Sequence, residues 1–457
     1  MVLKSKWVRG LGGLVLTLAV MAALLFAFVV DREHKVPDWL RNRIELQANQ
    51  MLGQGTVLIG DMRLRLGGDF HPRLVLQDVQ VIDADARHLA RVRNISGLIS
   101  PRGVLLRRAV MMQEITISGA RLEILRKLNG AVSVSFGTAS GGEKQAENFA
   151  MLLDQSDEIF ASSALEALET VNIDGMIVQY TDQRARKSWT VDGGQAQLSL
   201  SGDQMQLSGD FSLLTGRDAF TRLQFSLDRN GQSKVVQIAA DLSDVYSTDI
   251  ASQMTALAWL SALDATLSAN LRTSLDEAGN WSDLFATLEI EDGALRPSDT
   301  VAPIGFDRVK AYVKYEPDLQ KLTFEELLLE AQAGRMSVTG QTWLRDIADG
   351  VPNEFVGQFA AGASTLEPND KYPEGLQFDA MQVDMRLRLD PFQIEVGQAV
   401  VQAPGAMLLA KGDVLVTHDG WRAAIDATIP EIGVAALKTY WPQGVKPKSR
   451  EWTSRNL

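Results

Sequence analysis

The hydrophobic period changes twice along this chain, and each change predicts a different element. No charged residue occurs between Gly10 and Val30. A helix rising ~1.5 Å per residue would make that run about 32 Å long, enough to cross a bilayer core of roughly 30 Å. Next, Val36, Trp39, Leu40, Ile44, Ala48, Met51 and Leu52 recur at helical spacing. Pro37 suits the first turn of that short helix and Gly53 its stop, and the stripe is expected to face a core. From Thr56 onward the period is 2, the signature of strands with one apolar and one polar face.

Leu74 and Leu76 alternate with polar neighbours, and Val79 and Val81 resume in the opposite phase. That predicts a bulge or tight bend between them. Ile115 and Ile117, Leu122 and Ile124, and then Val132, Val134 and Phe136 follow, the last reached through an Asn129-Gly130 turn. Leu198 and Leu200 face Met205 and Leu207 in the same way, and Leu223, Phe225 and Leu227 lead through Asn230-Gly231 to Val236 and Ile238. Met385, Leu387 and Leu389 alternate with Asp384, Arg386, Arg388 and Asp390. Two stretches interrupt the strands: residues 148–170, behind a Gly/Ser-rich loop at 137–142, and residues 250–263. Their helical spacing predicts segments covering a sheet edge or end.

A loose repeat is also legible. Leu322-Thr323-Phe324 leads to a second strand ending at Gly340, and Phe392-Gln393-Ile394 leads to one ending at Gly412, 72 residues later. Gln204 to Gly209 shows the same last step. Such a period marks an array that grows by adding strand groups.

Composition places the chain. Lys4, Lys6 and Arg9 precede the apolar run, so the positive-inside bias leaves the N-terminus in the cytoplasm and sends the rest across the membrane. A cleaved signal peptide is the alternative, but the run is long for one and ends Phe26-Ala27-Phe28-Val29-Val30 without a small-x-small site. Across the chain 57 Asp and Glu outnumber 45 Lys and Arg, a net charge of −12. That surface repels phosphate backbones and argues against nucleic acid as a partner. There is no cysteine, and four scattered histidines lack ligand spacing, so no metal or cofactor is expected.

Catalysis finds no constellation either. Glu289 and Glu291 read as polar alternates beside Leu288 and Ile290, and Glu325 and Glu326 lack an acid–base setting. No Ser or Thr has a His partner, and Trp189, Trp259, Trp281, Trp343 and Trp421 are spread singly. The chain is expected not to be an enzyme.

The final residues carry a specific pattern: Tyr440-Trp441-Pro442, then Arg450, Trp452 and Asn456-Leu457. It resembles the C-terminal motif of AsmA-like envelope proteins of the YhdP type. The anchor followed by a short helix, the Leu74 to Val79 strand, Gly293 to Pro297 and the Gly-ending strand pairs fit the same family. The resemblance implies a mainly β fold, an elongated, twisted antiparallel β-sheet groove with a few covering helices behind a transmembrane helix. It implies the N-terminal part of a longer protein, cut inside the motif with no capping helix. It also implies a function: a single-pass inner-membrane protein of Gram-negative cells, its bulk periplasmic, that moves phospholipid towards the outer membrane and supports the barrier there. The alternative class is an anchored, non-enzymatic scaffold or assembly factor with outer-membrane or periplasmic protein partners.

The expected organisation is residues 1–32 as cytoplasmic stub and anchor, 33–136 as helix and first β-segment, 137–170 as loop and helix, and 171–457 as the repeated sheet. One-sided strands must cover their apolar faces. A closed sandwich would do so, and so would acyl chains lying along an open, curved sheet. Leu74, Leu76, Leu200, Leu207, Phe225 and Leu387 are the candidate lipid-facing residues, with Ser199 and Arg386 on the polar side.

Overall fold

The alternating segments fold as strands, and the computed structural model is mainly β. It describes residue 30 and residues 32–52, 56–69, 71–82, 88–100, 103, 111–128, 132–136, 144–146, 165–184, 186–214, 220–253, 255–348, 350–367, 372, 375–441 and 446–456. The predicted membrane span, Gly53, the Asn129-Gly130 turn, the 137–142 loop, residues 148–164 of the helical stretch and Pro442 lie outside the described residues, except Val30 at the end of the span. Among the described residues no helix is long and apolar enough to cross a membrane. The chain divides into two compact units: Met1–Leu125, Ala131–Thr181 and Thr190–Leu207 form the first, and Arg126–Gly130, Asp182–Trp189 and Ser208–Leu457 the second.

The first unit opens with β1 (Glu33–Lys35) and α1 (Asp38–Leu52), followed by β2 (Thr56–Leu66), β3 (Pro72–Ile82), β4 (His88–Ile99) and β5 (Met112–Ser118). Then come β6 (Arg121–Arg126), β7 (Val132–Phe136), β8 (Lys144–Ala146), β9 (Thr170–Asp182) and β10 (Lys187–Ser201). β1 to β5 pair in sequence, all antiparallel. β5 then pairs with β9 in parallel, Glu114 opposite Thr170 and Ser118 opposite Asp174. The sheet is therefore mixed, which corrects the all-antiparallel expectation. A parallel partner needs a long crossover, and period-2 alternation within a strand carries no information about it.

Helix α1 closes the apolar side of this unit. The Val36 N–H donates to the Met62 carbonyl at 3.0 Å, which brings the helix start down onto β2. Leu40 and Ile44 pack against a core of Val57, Ile59, Met62, Leu74 and Val79. Trp39 is 66% exposed, so the buried stripe is narrower than its spacing suggests. The predicted phase change is present. Leu76 lies opposite Met62 and Val79 opposite Ile59, with Asp78 between them at φ 52, and both pairs reach the same core.

β11 (Gln204–Leu214) leads into the second unit, where β12 (Thr221–Asn230) and β13 (Val236–Tyr246) form a hairpin. Next come α2 (Ser247–Ala251), a 3-10 segment at Thr255–Ala262, β14 (Leu263–Asp264), β15 (Thr266–Leu275), β16 (Leu284–Leu295), β17 (Ile304–Glu316), β18 (Lys321–Ala331), β19 (Gly334–Ala348) and β20 (Val351–Ala361). β21 (Ser364–Leu366), β22 (Leu376–Phe378), β23 (Ala380–Leu389), β24 (Phe392–Ala403), β25 (Ala406–Thr417) and β26 (Gly420–Ile432) complete the strands, and α3 (Val434–Tyr440) and α4 (Pro447–Asn456) follow. The C-terminal motif thus ends in helices, a correction to the expectation of none there. The helical stretch predicted over 250–263 starts earlier and breaks in two. Its 3-10 part lies on the sheet face rather than at an edge: Leu257 and Leu260 are fully buried in one cluster with Leu288, Ile290, Ala311, Leu322 and Phe355.

Bulges recur at matching places. On β18 the residues paired with β19 step from Phe324 to Leu327, and on β24 those paired with β25 step from Val396 to Ala399. The two steps lie 72 residues apart, as do Gly340 and Gly412. The repeat seen in sequence is therefore a repeat of strand irregularities. Each extra residue keeps the next apolar side chain on its original face and increases the local twist.

The other face is knit by cross-strand ion pairs. Arg308 pairs with Glu289, Lys314 with Asp283 at 2.9 Å, Arg335 with Glu330 at 3.1 Å and Arg388 with Glu354 at 3.1 Å. The Arg308 guanidinium holds the Glu289 carboxyl below its ordinary range, and Arg222, then Gln224, do the same for Asp210. Carboxyls depressed in the folded state contribute stability that is complete above about pH 4 and is lost as pH falls through their lower folded values. The melting temperature should fall between pH 7 and pH 3, and by less in 1 M salt, which screens exposed pairs. A melting temperature that is the same at both pH values would show that these pairs contribute nothing.

Candidate functional site

Register, followed from strand to strand, assembles one apolar face across the second unit. Directly opposed residues share a face. Leu223 lies opposite Leu242, then Ala269, Leu288, Ala311, Leu327, Val338, Ala361, Met381, Val401 and Leu408. The next row begins at Phe225 and ends at Ala410 and Ala427, again without a polar residue. A third row, Leu322–Thr342–Gly357–Met385–Val396–Gly412–Ile425, contains a single polar side chain, Thr342.

The face is covered unevenly. Under the 3-10 segment Leu288, Ile290 and Ala311 are at most 1% exposed. Beyond it, Val338, Phe359, Met381, Val383, Met385 and Leu387 are only half-buried, and Ile425 on β26 is 62% exposed. Between the two regions lies a cavity of about 360 Å³, walled by Trp259, Phe324, Phe359, Met381, Val383, Met385 and Leu387 among others. The Trp259 ring meets Phe324 edge-on at 5.9 Å, and Phe324 meets Phe359 at 5.8 Å. A larger hollow of about 790 Å³, lined by Asp228, Arg272, Ser274 and Asp283 among others, is polar and offers an alkyl chain little.

Glycines shape the apolar face. A Cβ on Gly340 would sit 2.4 Å from the Phe359 ring and 2.6 Å from the Gln358 carbonyl, so only glycine lets that ring lie flat across the strand. Gly209 is in the same position beneath Phe225 and Phe211, whose rings stack at 5.6 Å.

The sequence-predicted residues separate on this map. Leu387 lines the cavity, and Phe225 stands on the same apolar face, far along the ladder. Leu74 is 1% exposed and, with Leu76, is closed over by α1 in the first unit. Leu200 and Leu207 are half-buried in β10 and β11. Arg386 is on the opposite face, paired with Glu395 at 3.3 Å. Of the C-terminal motif, the Tyr440 hydroxyl donates to the Gln377 carbonyl at 2.9 Å and Trp452 is 62% exposed. Asn456 donates from Nδ2 to the Trp452 carbonyl at 2.7 Å, Arg450 lies in α4 with its N–H donating to the Lys446 carbonyl, and Trp441 is half-buried. Sequence reading placed Trp259 among scattered aromatics and passed over Thr342 and Gly357, because their meeting depends on pairings between separate strands.

Comparison with protein families, with curated proteins and with solved structures finds no match for this chain.

The uneven cover has a thermodynamic consequence. Leu288→Ala, beneath the 3-10 segment, should cost about 2–5 kcal/mol of stability. Val383→Ala, on the open part, should cost less than about half of that, since less area leaves water there. Urea unfolding of the two variants checks this; equal losses would mean that both parts of the face are equally closed.

Proposed function

We propose that this chain carries phospholipid along the apolar face of its second unit. The observation that supports this most strongly is the pair of register rows running from β12 to β25 without a polar side chain, left half-open beyond the 3-10 segment. Alkyl chains gain by covering such a surface and bring no hydrogen-bonding demand. An extended peptide brings one donor and one acceptor per residue, which these walls cannot satisfy. Bulges that strengthen twist suit an elongated, antiparallel groove of the kind the AsmA-like resemblance implies. On this reading residues 10–30 anchor the chain in the inner membrane, with the N-terminus cytoplasmic and the bulk periplasmic, and the lipid passes towards the outer membrane. The protein is not an enzyme and uses no cofactor.

A second reading, an anchored scaffold or assembly factor for envelope proteins, draws on β26. It pairs with β25, and residues 422–431 are all exposed, an edge that could accept a partner strand.

A photo-crosslinking residue replacing Leu387 or Met381 in the full chain should capture phospholipid in cells, and one replacing Arg386 or Glu395 should not. Equal labelling of both faces, or lipid on neither, overturns the lipid reading. Protein adducts confined to β26 would favour the scaffold.

A further inference from the structure

The cavity beside the 3-10 segment contains two polar atoms that a passive slide for alkyl chains would not need. Thr342 is 3% exposed, lines the cavity, and its Oγ1 has no hydrogen-bond partner. Trp259 lines the same cavity, and its Nε1 is likewise buried without a partner. Leaving such groups unsatisfied costs free energy, and buried polar groups almost always find partners. Gly357 explains how the threonine is left bare. It stands directly opposite Thr342, and a Cβ there would be 2.7 Å from the threonine Cβ and 2.9 Å from its Oγ1. A side chain at position 357 would fill the space the hydroxyl now faces.

We propose that this cavity seats the carbonyl-bearing end of one lipid acyl chain, with the Thr342 hydroxyl and the Trp259 indole N–H donating to the carbonyl oxygen. The inference rests on the lipid reading above and adds a fixed station to it. The volume of about 360 Å³ falls near the lower end of the ~300–1,000 Å³ usual for ligand pockets, fitting a chain segment rather than a whole lipid. The remaining walls are aromatic and aliphatic, so the alkyl part is received by Phe324, Phe359 and Met385 while the two donors fix the position of its polar end. The carbonyl oxygen has two lone pairs and can accept from both donors.

The test compares two zwitterionic phosphatidylethanolamines of equal chain length, one ester-linked and one ether-linked, binding to the full purified chain. The ether lipid lacks the carbonyl and is otherwise matched. The wild type should bind the ester lipid about five-fold more tightly, the worth of an ordinary hydrogen bond. Thr342→Val, which keeps the shape and removes the hydroxyl, should bring the ratio close to one without weakening the ether lipid. Equal affinities in the wild type, or a ratio that survives both Thr342→Val and Trp259→Phe, overturn the proposal while leaving the lipid reading standing. Binding of neither lipid removes both. Capture of a polypeptide instead of lipid by a photo-crosslinker at Met385 also overturns the seat.

Discussion

Register is the constraint on which the second unit depends. Side chains alternate with a period of 2, so a slip of one residue in any pairing would turn that strand's apolar residues to the polar face. From β12 to β25 the pairings hold two rows free of polar side chains, even where the strands are irregular. The bulges at Phe324 to Leu327 and Val396 to Ala399 are the means: one extra residue restores the phase that the alternation would otherwise lose. On the opposite face the same register sets Glu354 opposite Arg388 and Glu330 opposite Arg335, so charge pairing and apolar burial specify one alignment.

What covers the apolar face then divides structure from function. The 3-10 segment supplies Leu257 and Leu260 as a lid over the strands around Leu288 and Ala311, and this is the core that holds the unit together. Past that lid the same kind of side chain remains half-exposed, which a folded chain maintains at a cost unless something else covers it. The cavity at Trp259 lies at this border. Its aromatic walls, the glycines that let them lie flat and the two unsatisfied polar atoms are features of a receiving surface more than of a sealed interior.

Much of this was legible from local pattern. Strand positions followed from alternation at Leu223, Phe225 and Leu227 and at Met385, Leu387 and Leu389, and the phase change between Leu76 and Val79 corresponds to Asp78 in the left-handed region. The spacing of Gly340 and Gly412 pointed to a repeat whose physical content is the recurring bulge. Features set by distant pairings were not legible: the parallel meeting of β5 and β9, the 3-10 segment crossing a face rather than an edge, and the opposition of Thr342 to Gly357. Leu74 and Leu76 show the limit most clearly. Their alternation is as clean as that of Leu387, yet a helix covers them and not Leu387.

The central claim is that the open part of the apolar face carries acyl chains. Organic extraction of the full chain, purified from its native envelope, followed by mass spectrometry of the extract tests it most directly. Phospholipid should be recovered in defined proportion to protein, and a Val383→Asp/Met385→Asp variant that remains folded should lose most of it. Recovery of no phospholipid from the unaltered chain, or an unchanged yield from the folded variant, would contradict the account.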